Sequence, residues 1–535
     1  MTGAKRSISY SETGFFTPLI LDYLGGNEWL RTYYSHEPDW KGIAAAIDAR
    51  GKYPVERNVL VAHLHEQYKT VDRSDAVDAA IASLLNDNTF TICTAHQPSL
   101  FTGNLYFIYK IVHVIVLAEK LKVLHPNKNF VPVFWMGSED ADLQELGTFY
   151  LGKEKIQWDT KQTGAVGKMK TKGLESLIRR IEGELGVLPH GKELVDLLTR
   201  CYTRHADIQT ATFALIHALF SSYGLVVLIP DSAQLKEKMQ SVFADDLIRN
   251  TPSQMVEDTI AVLSGKYKIQ AHPRPINLFY LKEGIRNRIE KTERGDYKVT
   301  DTDIRFTEEA LLQELQSNPE RFSPNVILRG LFQEMILPNI LFVGGGGETA
   351  YWLELKALFE HYRIPFPVLV LRNSFLIIPE AAHKKMGKLG LEARDIFISE
   401  QILLDRIAQQ QYPEQLNLTE ERARLAKLYG ELQEKANAID KSLEEHVQAL
   451  HAQSLRRIDE LGKKMQRAAR KRQEVQQGQI RSLKEALFPF KGLQERVENF
   501  MPYYARYGNE FLRWIFQYSN TVEQEFTVFT INEKP

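Results

Sequence analysis

Five short runs of apolar, β-branched and aromatic residues punctuate the middle of the chain: TFTIC (89–93), FVPVFWMG (130–137), GLVVLIPD (224–231), NILFVGGGG (339–347) and FPVLVLRNSFLII (366–378). Helical patterns separate them. A strand with one wet face alternates apolar and polar residues, whereas a continuous apolar run needs cover on both faces, as parallel strands between helices have. The chain is therefore expected to be α/β, with a doubly wound parallel sheet spanning 89–400. Two long excursions, about 152–222 and 232–330, read as insertions into that core, and the alternation in INLFYLKEGIRNRIEKTERGDYKVT predicts a small antiparallel element. Residues 1–88 read as an N-terminal helical flank, since ERNVLVAHLHEQY repeats apolar residues three and four apart. An aromatic, amphipathic segment at 491–535 is expected to pack back on the core.

A different pattern fills 401–490. No proline occurs between Pro413 and Pro489, and Leu425, Leu428, Leu432, Ala436, Ile439, Leu443, Val447 and Leu450 keep a three-four spacing that Ile458, Leu461, Met465 and Ala468 resume. This heptad predicts an α-helical coiled coil. As one helix of roughly 60 residues it would run about 90 Å. Its seam then needs a second helix, from this chain or from another copy, and a homodimer is the favoured expectation. The stretch 456–472 holds eight Lys or Arg against two acids, a solvated face or a contact for RNA or an acidic protein.

With 535 residues and a formal charge of -1, the chain carries no global field to recruit nucleic acid or an anionic membrane. Cys93 and Cys201 cannot form a disulfide framework, and no spacing suggests zinc, so no metal site is assigned. Cys93, inside an apolar strand, reads as a buried structural thiol. No uninterrupted apolar stretch reaches membrane-spanning length. A cytoplasmic protein with no membrane and no nucleic-acid partner is expected.

Ligands of an open parallel sheet bind beyond the carboxyl ends of its strands, where helix N-termini offer free N–H groups. Three loops fall there. In TAHQPSLFTGN (94–104), His96 and Gln97 follow a strand, while Thr102, Gly103 and Asn104 fall where a helix begins; they either hold an anion or cap the helix. In MGSEDADLQEL, Glu139, Asp140 and Asp142 could hold an ammonium group or a proton in transit, or merely offset a helix dipole. In FVGGGGETAYW, Gly344, Gly345, Gly346 and Gly347 permit close backbone approach, with Glu348 and Tyr351 beyond them, although neither common nucleotide motif is matched. Arg372 and Asn373 follow the last strand, where Arg372 could pair with an anionic substrate or lie on the surface.

Taken together, TAHQPSLFTGNLYFIYKIVHVIVLAEKL, PVFWMGSEDADLQEL, RFSPNVILRGLFQEMILPNILFVGGGGETAYWLELKALFEHY, PVLVLRNSF and LFPFKGLQERVENF resemble the bacillithiol biosynthesis cysteine-adding enzymes, in collinear order over nearly the whole chain. The chain has Ala95-His96-Gln97 where that family often has Gly-Gln-Gln, and Ala141 where it often has His. The resemblance implies a Rossmann-like core similar to class I aminoacyl-tRNA synthetases, connective-peptide insertions and a dimerising coiled coil. It also implies a ligase that forms an amide between cysteine and the amine of glucosaminyl malate. A carboxylate acylates an amine only after its oxygen becomes a good leaving group, so an adenylate or acyl phosphate of cysteine is expected, with ATP as the implied nucleotide. The 96–104 loop and the glycines at 344–347 would then bind phosphate. Glu139, Asp140, Asp142 and His96 would be catalytic, and Arg372 would hold the malate carboxylates. The competing expectation is a non-catalytic synthetase-like protein that contacts RNA or an assembly partner through its coiled coil.

Overall fold

The computed structural model describes residues 5–471 and 474–531. Parts of three sequence readings (1–4 of the N-terminal flank, 472–473 of the coiled coil and 532–535 of the C-terminal segment) lie outside the described residues. The chain divides into two compact units, one of residues 5–377 with 492–529, the other mainly 378–491.

The first unit is built on five parallel strands: β1 (Thr89–His96), β2 (Asn129–Met136), β3 (Val226–Leu228), β4 (Asn339–Gly344) and β5 (Val368–Leu371). Their spatial order is β5-β4-β1-β2-β3. Every residue of β1 before His96 is buried, which is why these strands read as unbroken apolar runs. β1 pairs with β2 from Thr89 opposite Asn129 to His96 opposite Met136, and with β4 through Cys93 opposite Phe342. The chain thus winds outward through β2 and β3, then crosses to the other side of β1 for β4 and β5. That reversal leaves a crevice between the carboxyl ends of β1 and β4, where doubly wound sheets bind ligands.

Three helices frame the crevice: α1 (Tyr106–Leu124), α2 (Val326–Ile336) and α3 (Gly346–Leu353). α1 is apolar nearly all round, with Phe107, Ile108, Ile111, Val112, Ile115 and Leu121 inaccessible, as suits a helix packed on the sheet and covered in turn. Helices Leu174–Leu185, Gly191–Arg204 and Ile208–Phe220 occupy the β2–β3 connection. The β3–β4 connection carries the antiparallel element, a five-stranded sheet that includes Leu278–Lys282, Ile285–Lys291 and Phe322–Pro324.

One apolar run divides. The stretch 366–378 forms two strands in different sheets: β5, and Phe375–Pro379, which joins a sheet with Arg6–Ile8 and Phe526–Ile531. The buried carboxylate of Glu495 accepts from the Phe375 N–H (3.2 Å), and the Gln494 side chain accepts from the Ile377 N–H (3.0 Å). Those side chains satisfy backbone that would otherwise continue the ladder.

In the second unit the heptad is not one long helix. Thr419–Ile439 ends at Asp440, whose extended backbone and side chain, accepting from the Ser442 N–H at 2.8 Å, start a turn before Glu444–Lys471. The two helices return on each other: Arg422 pairs with Asp459 at 2.7 Å, and Tyr429 stacks on His451 and bonds Ser454 at 2.7 Å. The coiled coil is therefore an antiparallel hairpin within the chain. Both partners of its seam stay partly wet, with Leu428, Leu432 and Leu461 at 51%, 41% and 52% exposure. Arg456, Arg457, Lys463, Lys464 and Arg467 lie on its second helix.

Candidate active site

At the crevice the ends of β1, β2 and β4 line one cavity of about 340 Å³. Of the residues singled out in the sequence, His96, Gln97, Glu139, Asp140, Gly345, Gly347, Glu348, Tyr351 and Arg372 line it. Thr102, Gly103, Asn104, Asp142, Gly344, Gly346 and Asn373 do not.

His96 ends β1. Its Nδ1 lies 2.9 Å from the Gln97 carbonyl, which can only accept, so Nδ1 donates. Nε2 of the neutral ring then accepts from the Tyr106 hydroxyl at 3.2 Å. Burial, aided by the nearby Lys110 charge, pulls its pKa down to about 4, so the ring is neutral at physiological pH.

The acidic loop after β2 separates its three carboxylates. Glu139 is 8% exposed; it is ion-paired with Lys236 and accepts from the Ser323 hydroxyl at 3.2 Å. Burial raises its pKa, against the opposing Lys236 charge. Lys236 is inaccessible to solvent and also contacts Asp231 (2.9 Å), which pairs with Lys168 (2.6 Å). Asp140 accepts from the Gln97 amide (3.1 Å) and the Asp142 N–H (3.1 Å). Among the described residues no cation lies within ion-pair distance of it. Asp142 is exposed and caps Leu143–Leu146 by accepting from the Glu145 N–H at 3.0 Å, the helix-terminus role that competed with a site role in the sequence.

The glycine loop after β4 starts α3. Glu348 folds back to accept from the Gly345 N–H at 2.8 Å and pairs with Lys110. Lys110, 2% exposed, also donates to the Ala95 carbonyl at 2.8 Å, tying α1 to β1 and α3. Although burial pushes the Glu348 carboxyl up, Lys110 holds it below the ordinary range.

Arg372 is committed to protein groups. Its guanidinium pairs with the inaccessible Glu495 at 2.7 Å and donates to the Asn373 carbonyl and the Ser374 hydroxyl. Its Nε, buried and without a partner, lies 3.6 Å from where a side chain on Gly345 would begin. Asn373 donates from its backbone to His113 and from its side chain to the Asn520 carbonyl. Phe101, Thr102 and Gly103 form a left-handed bend (φ 49°, 67° and 61°). The Asn499 amide holds it by donating to the carbonyls of Phe101 and Gly103. Neither Thr102 nor Asn104 supplies a side-chain cap to α1.

Cys93 is fully buried in β1, which raises its thiol pKa well above the ordinary value. Among the described residues no group of three or more His, Cys, Asp or Glu is placed to hold a metal ion, and no helix is long and apolar enough to cross a membrane.

Residues 4–373 match the family model described as the N-terminal Rossmann-like domain of bacillithiol biosynthesis BshC, and residues 375–531 match its C-terminal coiled-coil domain. The chain belongs to the BshC family. A BshC relative from Flavobacterium psychrophilum, named "Putative cysteine ligase BshC", is 37% identical over 97% of this chain and 98% of its own length. Relatives of the same name from Flavobacterium johnsoniae and Christiangramia forsetii are 36% and 35% identical, each over 98% of this chain and 99% of their own.

Several polar residues of the cavity were not singled out in the sequence. Lys110, Arg286 and Arg329 line it, and Lys236 stands behind Glu139. Lys110 could have been noticed as the one charge in the apolar run LYFIYKIVHVIV. The others become visible only when the insertions fold over the sheet.

Proposed function

We propose that this chain is the ligase that joins cysteine to the amine of glucosaminyl malate, through a cysteine carboxylate activated with ATP. The carrying observation is that the cavity at the reversal of the sheet holds Asp140, an acid with no ion pair among the described residues, together with several cations. Acylating an amine needs both signs: a negative group to bind an ammonium and take its proton, and positive groups to stabilise a leaving phosphate. The relatives' name supplies cysteine and the family's description supplies bacillithiol biosynthesis; glucosaminyl malate as the acceptor is what the sequence resemblance implies.

ATP would furnish the phosphate-bearing leaving group. The start of α3 at Gly347, and the unpartnered Nε of Arg372 beside Gly345, fit an anion there. Asp140 binds the glucosaminyl ammonium and accepts the proton that leaves it. The neutral amine's lone pair then forms the C–N bond as the bond from the cysteine carbonyl carbon to its leaving oxygen breaks, and the second proton, shed by the nitrogen once that bond has formed, leaves with the departing phosphate. Glu139, fixed by Lys236 and Ser323, orients the amine, and neutral His96 with Tyr106 shapes part of the cavity wall. A cytoplasmic setting accords with two free, buried cysteines. Pairing of two copies through the coiled coil belongs to the same reading, supported by the half-wet leucines of the hairpin.

Purified protein given cysteine, glucosaminyl malate and ATP is expected to yield the amide, read by mass spectrometry. Asp140→Asn should lower kcat by roughly 10²- to 10⁴-fold. No amide from the wild-type protein, or full turnover by Asp140→Asn, rejects the ligase reading or this assignment respectively.

A further inference from the structure

Two cations of the cavity are already neutralised by acids: Lys110 by Glu348 and Arg372 by Glu495. Arg329, Arg286 and Arg496 are not, since among the described residues none of them has a carboxylate within ion-pair distance. Arg329 stands on α2, three residues after Val326, so it lies on the same helical face as the N-terminus that Asn325 and Val326 present to the cavity. Its guanidinium is oriented by neutral groups alone, donating to the Tyr351 hydroxyl at 2.7 Å and the Gln333 side-chain oxygen at 3.2 Å. Two of the five guanidinium N–H donors are thereby used, and the others are free for a ligand. Arg286, from the inserted sheet, bonds the Ser323 hydroxyl through Nε at 3.2 Å and lies over the Phe279 ring at 4.0 Å. That leaves the end of its fork unengaged.

We propose that Arg329, with Arg286 and the N-terminus of α2, forms a carboxylate subsite that selects a substrate bearing two acid groups. The inference rests on the ligase reading and assigns the malate end of the substrate to these residues, because Arg372 already has a buried acid of its own. A planar fork held by a phenol and an amide keeps its full charge for the ligand and matches a carboxylate with paired N–H groups. Lysine cannot reproduce that geometry.

Calorimetric titration of the full chain tests it, with glucosaminyl malate and methyl glucosaminide as probes, the latter lacking both carboxylates. Arg329→Gln is expected to weaken glucosaminyl malate binding roughly 10- to 100-fold and leave methyl glucosaminide unchanged, with Arg329→Lys recovering only part of the loss. Tyr351→Phe removes just the orienting hydroxyl and should weaken the malate conjugate several-fold, which guards against misreading a folding defect in the arginine variants. Unchanged affinity for glucosaminyl malate in a folded Arg329→Gln, or equal weakening of both probes, overturns the subsite. A wild-type protein that binds neither sugar fails the ligase reading itself.

Discussion

His113 is inaccessible and accepts from the Asn373 N–H at Nδ1 (3.1 Å), so its Nε2 donates to the Thr521 carbonyl (2.8 Å). Both nitrogens are used in the neutral form, and burial pulls the pKa down to about 4. The folded-state value lies below the unfolded value of about 6.5, so the unfolded chain binds the extra proton between those limits. The stabilisation is complete above pH 6.5 and is lost as pH falls towards 4. The wild-type advantage over His113→Gln in urea unfolding should therefore shrink by about 2 kcal/mol between pH 7.5 and pH 5. At this scale the sequence was least informative. Asp140 and Asp142 look alike in SEDAD, yet one faces the cavity and the other caps a short helix. Arg372 looks available until Glu495, far along the chain, arrives to neutralise it, and Arg329 matters because no such acid arrives.

At the scale of elements, the acidic loop is pinned by the first insertion. The Val166 N–H donates to the Asp140 carbonyl (2.7 Å) and the Gly167 N–H to the Ser138 carbonyl (3.0 Å). A Cβ on Gly167 would stand 2.3 Å from that Ser138 oxygen. Gly167→Ala is thus expected to displace residues 138–140, costing about 1–3 kcal/mol and reducing ligase turnover. Gly183→Ala, whose Cβ would meet nothing within 4 Å, should be neutral or stabilising by up to about 1 kcal/mol; thermal melts and rates of the two variants make the comparison. The five strands were legible because burial on both faces writes an unbroken apolar run. The division of 366–378 was not, since both halves are apolar and the interruption depends on Gln494 and Glu495. The hairpin hid for a related reason: the turn at Asp440 carries the spacing of apolar residues through, so the heptad reads straight across it.

For the molecule as a whole, the leucines of the hairpin are the feature that bears on assembly. Packing within the hairpin leaves Leu428 and Leu432 about half exposed, and a second copy would bury them. Sedimentation should then give about twice the chain mass of 61.5 kDa, and the double substitution Leu428→Glu with Leu432→Glu should bring it to the single-chain value with the cavity unchanged. A wild-type protein that sediments as one chain removes the dimer.

Arg6–Ile8 runs antiparallel to Phe526–Val528, so two strands from opposite extremes of the numbering complete one small sheet. During synthesis the earlier strand has no mate until Phe526–Val528 has been made, after every other strand of the first unit. The late arrival of that mate makes this sheet a clasp, the last of the first unit to gain its partner strand.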